Sequence, residues 1–273
     1  MTQPYRNLLL ISDIDGTFIT GQGHIPERNL TAARDFMARG GLFAFATGRS
    51  VAGTARYARA AGVNAPCIVC NGGGIYDFAE DKMLWHRPMP ASYGEVIDLV
   101  KEHFPDVGIE IYAGSAVYCA NKNDYTAQHA ASQGFSPENC PDRYPEGASK
   151  VLFSASHERL LELAAFVDSL ENGGWESVFS SPVYYELLPQ GISKGLAIGI
   201  LADLLGIEKE NVACIGDYYN DLEMLASCPV SAVPAESAEE VRTAAKITLG
   251  PCENGAVADL IEYLGRKRTA RIG

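Results

Sequence analysis

Leu8-Leu9-Leu10-Ile11-Ser12-Asp13-Ile14-Asp15-Gly16-Thr17 is the stretch on which the fold turns. Its first four residues are a short continuous apolar run, as expected of a parallel strand covered on both faces. The run breaks straight into two carboxylates and a glycine. Downstream, Pro26 marks a helix start, Leu30, Ala33 and Met37 recur at helical spacing, and Gly40-Gly41 closes the segment. Leu42 to Ala46 reads as a second apolar strand, Ser50 to Ala61 as a helix ending at Gly62, and Cys67 to Cys70 as a third strand. Strand, helix, strand, helix, strand is the grammar of a doubly wound parallel sheet.

The same grammar returns near the C-terminus. Lys194 to Leu205 is a helix stopped by Gly206, Val212 to Ile215 a strand, and Asp221 to Ala226 the start of a helix. Val230 to Val233 is a further strand, followed by a helix from about Ser237 to Ala245. Between the two α/β blocks the pattern changes. Ile109 to Tyr112, Val117 to Cys119, Lys150 to Ala155 and Val183 to Leu187 alternate more, as in a sheet with one face less buried. Helical stretches at Val96, Leu99 and Val100, and at Leu160, Leu163, Phe166 and Val167, separate them, and Asn172-Gly173-Gly174 reads as a turn. The expectation is therefore an α/β protein. Residues 1–86 and 187–273 form a Rossmann-like core, and residues 87–186 form an inserted α+β domain.

Composition narrows the function classes. A formal net charge of -12 repels phosphodiester backbones, which argues against a nucleic-acid partner. No apolar run approaches the ~20 residues of a membrane span. No signal peptide is recognisable, so the expected location is cytoplasmic, away from membranes. Arg266-Lys267-Arg268 and Arg271 read as a solvated basic tail. Seven cysteines, an odd number, do not suggest a disulfide framework. Cys67 and Cys70 form a C-x-x-C, but an odd offset in a strand points the two thiols to opposite faces. No second pair completes a zinc site.

Four places carry chemistry, and all fall where core strands should end, the usual location of sites in open parallel sheets. Asp13-Ile14-Asp15-Gly16-Thr17 brings two carboxylates together, either as a solvated turn or around a divalent cation that relieves their repulsion. Thr47-Gly48-Arg49 offers a hydroxyl and backbone N–H groups before a helix, for an anion or simply for capping. Lys194, in Gly191-Ile192-Ser193-Lys194-Gly195, sits at a helix start, where a cation is electrostatically misplaced. It is a surface lysine or it answers to a ligand. Gly216-Asp217-Tyr218-Tyr219-Asn220-Asp221 adds two acids and an amide, more than helix capping explains. Jointly they supply what phosphoryl transfer needs: charge neutralisation, positioning and an oxygen nucleophile.

These four motifs, in this order, resemble the motif set of the haloacid dehalogenase-like hydrolases. The insertion between Asn71-Gly72 and Lys194 is similar to the large α/β cap of the Cof-type subgroup. The resemblance implies a phosphatase acting on a small phosphorylated metabolite, such as a sugar phosphate, through an aspartyl-phosphate. It implies Asp13 as nucleophile and Asp15 as the acid that protonates the leaving alcohol and then activates water. Thr47, Gly48 and Lys194 would hold phosphoryl oxygens, and Asn220 would touch the phosphate or orient Lys194. Magnesium would sit on the Asp13 carboxylate, the Asp15 backbone carbonyl and Asp217, with Asp221 as ligand or supporting group. Arg49 and Asn71 would lie on loops near the substrate, Arg49 reaching it or pairing with a core acid. A phosphomutase, or a non-catalytic metabolite-binding regulator on the same scaffold, are the alternatives. Relatives often carry Gly-Asn-Ala after the strand that begins at Val230, whereas this chain has Val233-Pro234-Ala235, so a substrate contact from that asparagine is not expected.

Overall fold

Leu9–Ser12 lies between Leu42–Phe45 and Val212–Ile215, parallel to both, with Leu9 opposite Leu42 on one side and Val212 on the other. Val230–Val233 and Ile247–Thr248 extend the sheet beyond Val212–Ile215, also in parallel, to five strands. Every residue of Leu9–Ser12 and of Val212–Ile215 is buried, so both faces of the sheet are covered. Helices Glu27–Ala38 and Ala256–Ile272 pack together, as do Lys194–Leu205 and Leu222–Ser227. The rings of Phe18, Phe43 and Phe45 meet at centroid distances of 4.9 to 5.8 Å. From Leu9–Ser12 the chain first builds outward through Leu42–Phe45, then returns to the opposite side at Val212–Ile215. That reversal of strand order opens a crevice at the carboxyl ends of Leu9–Ser12 and Val212–Ile215.

The computed structural model describes residues 3–170 and 173–272, which divide into two compact units. The first comprises Met1–Gly48, Thr54–Leu84 and Ser193–Gly273; the second comprises Arg49–Gly53 and Trp85–Ile192. The expected junction at 186 would cut the strand Tyr184–Pro189, which pairs on both sides with second-unit strands, and the break instead follows Ile192. The second unit is built on a six-stranded sheet in the order Trp175–Ser181, Tyr184–Pro189, Ala148–Ser154, Gly108–Ala113, Ala116–Asn121, Glu138–Asn139. All its pairings are antiparallel except the last. Helices Tyr93–His103 and His157–Ser169 bury Val96, Ile97, Val100, Leu160, Leu163 and Val167 in one hydrophobic cluster with one face of this sheet.

Two expectations need correction. The third strand ends at Val69, Cys70 opens a short 3-10 turn, and the strand pairs antiparallel with Gly74–Asp77 in a separate three-stranded sheet. One parallel bridge, Ala46 to Ile68, ties it to the end of Leu42–Phe45. The basic tail is not wholly solvated. Arg268 lies in the helix Ala256–Ile272 and donates to the carbonyls of Pro4 and Arg6 at 3.1 and 2.8 Å and to Asn211 Oδ1 at 3.1 Å. Asn172, in the expected turn, lies outside the described residues, as does the side chain of Arg271. Among the described residues no helix is long and apolar enough to cross a membrane.

Candidate active site

Asp13 follows Leu9–Ser12 directly, and its N–H still donates to Ile215 O at 2.9 Å. The sheet register therefore delivers its side chain to the crevice beside Gly216 and Asp217. Only 6% of Asp13 is exposed. Lys194 is wholly buried and donates from Nζ to Asp13 Oδ1 at 2.6 Å and to Asp221 Oδ1 at 2.7 Å. The lysine at a helix start is thus no surface lysine. Ser193 caps that helix by accepting from Leu196 N at 3.0 Å, which fixes where Lys194 begins.

Asp221 is also fully buried, and both of its oxygens are engaged. Oδ1 meets Lys194, and Oδ2 accepts from the N–H groups of Asp217 and Tyr218 at 2.9 and 3.0 Å. It is a brace that folds the 216–221 loop onto itself and holds the ammonium. Asp217 is oriented by Thr17, whose Oγ1 donates to Asp217 Oδ1 at 2.7 Å. Thr17 was not singled out from the sequence: it stands in the quoted motif, but its partner is 200 positions away. One carboxylate oxygen from each of Asp13, Asp217 and Asp221 lies within 4.8 Å of the other two. The Asp15 carboxylate stands outside this triad and is exposed.

Three carboxylates face one ammonium, and the surplus negative charge shows in their proton affinities. Burial, more than the neighbouring acids, drives the Asp13 carboxyl well above the ordinary range, against the pull of Lys194. Asp217 is pushed up to about 7, chiefly by burial, with Thr17 opposing and Asp221 adding to the rise. Burial alone would lower the Lys194 pKa, but Asp13 and Asp221 override it and hold the ammonium above its usual value. A hard divalent cation fits this set: the donors are all oxygen, they converge, and they carry charge that Lys194 does not neutralise.

The remaining site residues form the rim. Thr47 is buried, its N–H donates to Ile68 O at 3.0 Å, and its carbonyl accepts from Asn71 N at 3.0 Å. Asn71 holds a left-handed backbone at φ 55° and accepts on Oδ1 from Asn220 Nδ2 at 3.0 Å. Thr47, Asn71, Asn220 and Asp221 thus run as one connected line toward Lys194. Asn71 also sets the space at Gly48, where an added Cβ would approach Asn71 Oδ1 to 2.9 Å. Arg49 is not in that line. Its guanidinium donates to Gln133, and the segment Arg49–Gly53 clusters with the second unit.

Residues 10–261 match the family model of the haloacid dehalogenase-like hydrolases. Proteins called HMP-PP phosphatase are similar over nearly the full length. That of Escherichia coli is 24% identical over 255 residues, 92% of this chain and 93% of the relative. That of Yersinia pseudotuberculosis is 27% identical over 256 residues, with the same shares. A haloacid dehalogenase-like hydrolase structure from Bacteroides thetaiotaomicron superposes with a TM-score of 0.87 at 23% identity, over 94% of this chain and 99% of that one. A sugar phosphatase of subclass IIB superposes with a TM-score of 0.80 at 17% identity, over 94% and 99%. At these identities the two structures share the fold.

Proposed function

The chain belongs to the haloacid dehalogenase-like hydrolase family, and from that premise we propose that it is a magnesium-dependent phosphatase of a small phosphorylated metabolite. The observation that carries the reading is the carboxylate of Asp13, buried at the end of a core strand and gripped by the buried ammonium of Lys194 at 2.6 Å. A carboxylate that only stabilised the fold would gain nothing from a second and third acid packed around it. The similarity to HMP-PP phosphatases over 92% of the chain supports a phosphorylated small molecule as substrate.

In this reading Asp13 Oδ2 attacks phosphorus, since Oδ1 is held by Lys194, and an aspartyl-phosphate forms as the ester oxygen leaves. Asp15, on the exposed turn two residues on, gives the proton that the leaving alcohol needs. It then takes one from the water that cleaves the aspartyl-phosphate. Lys194 and the Thr47-Gly48 segment steady the phosphoryl oxygens, and Asn220 keeps the line to Asn71 in register. Asp13, Asp217 and the Asp15 carbonyl would hold magnesium, with Asp221 bracing Lys194 and the loop behind them. The cation supplies charge neutralisation for the phosphoryl oxygens when bound. The test is phosphate release from a panel of phosphorylated metabolites, with and without chelation. Turnover should vanish in EDTA and return with magnesium. Undiminished release in fully chelated enzyme would overturn the metal assignment, and no release from any ester would overturn the activity.

A further inference from the structure

Cys214 and Cys228 are two thiols that the phosphoryl site does not use. Cys214 lies in the strand Val212–Ile215, just ahead of Gly216 and Asp217, and is fully buried. Cys228 follows the helix Leu222–Ser227 directly and is 1% exposed. One carbonyl draws them together: Met224 O accepts from Cys214 Sγ at 3.4 Å and from Cys228 N at 3.3 Å. The two thiols also hydrogen-bond to each other.

The pair is unequal. Burial holds the Cys214 thiol well above its ordinary pKa. Cys228 is lowered, first by the hydrogen bond with Cys214, against burial, and further by Ser227, Lys246 and Lys209. Lys246 Nζ donates to the Cys228 carbonyl at 2.8 Å. Cys228 also walls a cavity of about 190 Å³ with Ser227, Gly199, Asp203 and Lys209. The last three are exposed, so the cavity opens to solvent. A molecule little larger than water, whose share of liquid is about 30 Å³, fits inside. A thiol with cations beside it and an entry path is reactive where an ordinary buried thiol is inert.

We propose that Cys228 and Cys214 form a reversible disulfide when the chain meets a small hydroperoxide, and that this bond distorts the loop carrying Asp217 and Asp221. The Cys228 sulfur attacks the peroxide: an S–O bond forms, the O–O bond breaks, and the leaving oxygen takes up the proton that the thiol gave. The Cys214 sulfur then displaces the sulfenic oxygen. The S–S bond forms, the S–O bond breaks, and the Cys214 proton leaves with that oxygen as water. Two electrons pass from the two sulfurs to the peroxide. Closure brings the sulfurs to about 2.05 Å, nearer than a hydrogen bond allows, and removes the donor on Met224 O. It also ties residues 214–228 into one ring with Asp217 and Asp221 inside it. The helix Leu222–Ser227 is drawn toward the strand, and Asp221 at its start shifts against Lys194. The resulting loss of turnover rests on the phosphatase reading; the cross-link does not.

Trypsin leaves both cysteines on one peptide, residues 210–242. The full chain exposed to hydrogen peroxide, then denatured and alkylated, should give that peptide without alkyl groups and two hydrogens lighter. Dithiothreitol before alkylation should return both thiols. Both cysteines alkylated after peroxide, or Cys228 carried to a sulfinic acid beside a free Cys214, would overturn the proposal. In the same samples, phosphate release from a hydrolysed metabolite should fall at least about tenfold and recover with dithiothreitol. Cys228→Ser, checked for folding by circular dichroism, should keep its release through the peroxide step. Full release by the cross-linked chain, or an equal loss in Cys228→Ser, would overturn the effect on the loop. A reduced chain that hydrolyses no ester refutes the phosphatase reading instead, and the peptide mass still decides the cross-link.

Discussion

Lys194 shows how much of this site is one side chain. The ammonium is fully buried, contacts Asp13 and Asp221, and stands at the beginning of a helix, where the backbone dipole disfavours it. Two buried carboxylates, those of Asp13 and Asp221, offset that cost. Lys194→Met keeps the volume and removes the charge, leaving both acids uncompensated. The variant should lose about 3–5 kcal/mol of stability, read as a lower urea midpoint. A midpoint equal to wild type would mean that the pair carries no such weight. Asp217 allows a second test through pH. Its carboxyl is raised to about 7, so the folded state holds that proton more tightly than the unfolded chain. In metal-free protein this contribution is full below about pH 4 and is lost as the pH rises through about 7. On the proposed assignment magnesium competes with the same proton, so its stabilising effect should run the other way. The rise in Tm on adding magnesium should grow from about pH 5.5 to about pH 8. A constant increment across that range would remove Asp217 from the cation site.

At the scale of elements, the loops carry the site and the strands place it. Gly72 has φ 99°, and a Cβ there would overlap the Ser193 carbonyl just before the Lys194 helix. Gly72→Ala should therefore cost about 1–3 kcal/mol and displace the helix start that presents Lys194. Both the urea midpoint and kcat should fall; a neutral substitution would show that the loop yields without moving the lysine. This scale also explains what the sequence revealed. Leu8 to Ile11, Leu42 to Ala46 and Val212 to Ile215 were legible because a strand buried on both faces must be continuously apolar. Asp13 was legible because it ends such a run with a charge, Lys194 because a cation is misplaced at a helix start, and Asp217 and Asp221 because together they exceed what helix capping needs. The end of the third strand was not, because Cys70 is apolar enough to continue it, and only the turn to Gly74–Asp77 stops it. The helix Ala256–Ile272 lies beyond the expected elements, although Val257, Leu260, Ile261 and Leu264 recur at helical spacing and are buried. Thr17 and Asn71 could not be assigned partners, since hydrogen bonds to Asp217 and Asn220 depend on how distant loops meet.

At the scale of the molecule, the two larger sheets, of five and six strands, do different work. The parallel sheet of the first unit brings Lys194, Asp217 and Asp221, all distant in sequence, to Asp13. The antiparallel sheet of the second carries its own core and its own buried charges. All the groups assigned to the chemical step lie in the first unit, and Arg49, which has no part in it, lies in the second. The account depends most on Asp13 receiving the phosphoryl group. The direct measurement is rapid acid quench of the magnesium-loaded enzyme during turnover of a metabolite that it hydrolyses, followed by peptide mass analysis. A peptide containing Asp13 should appear heavier by one phosphoryl group, and the folded Asp13→Asn variant should show neither that species nor turnover above about a thousandth of wild type. A phosphoryl group found on another residue, or full turnover by the Asp13→Asn variant, would contradict the account.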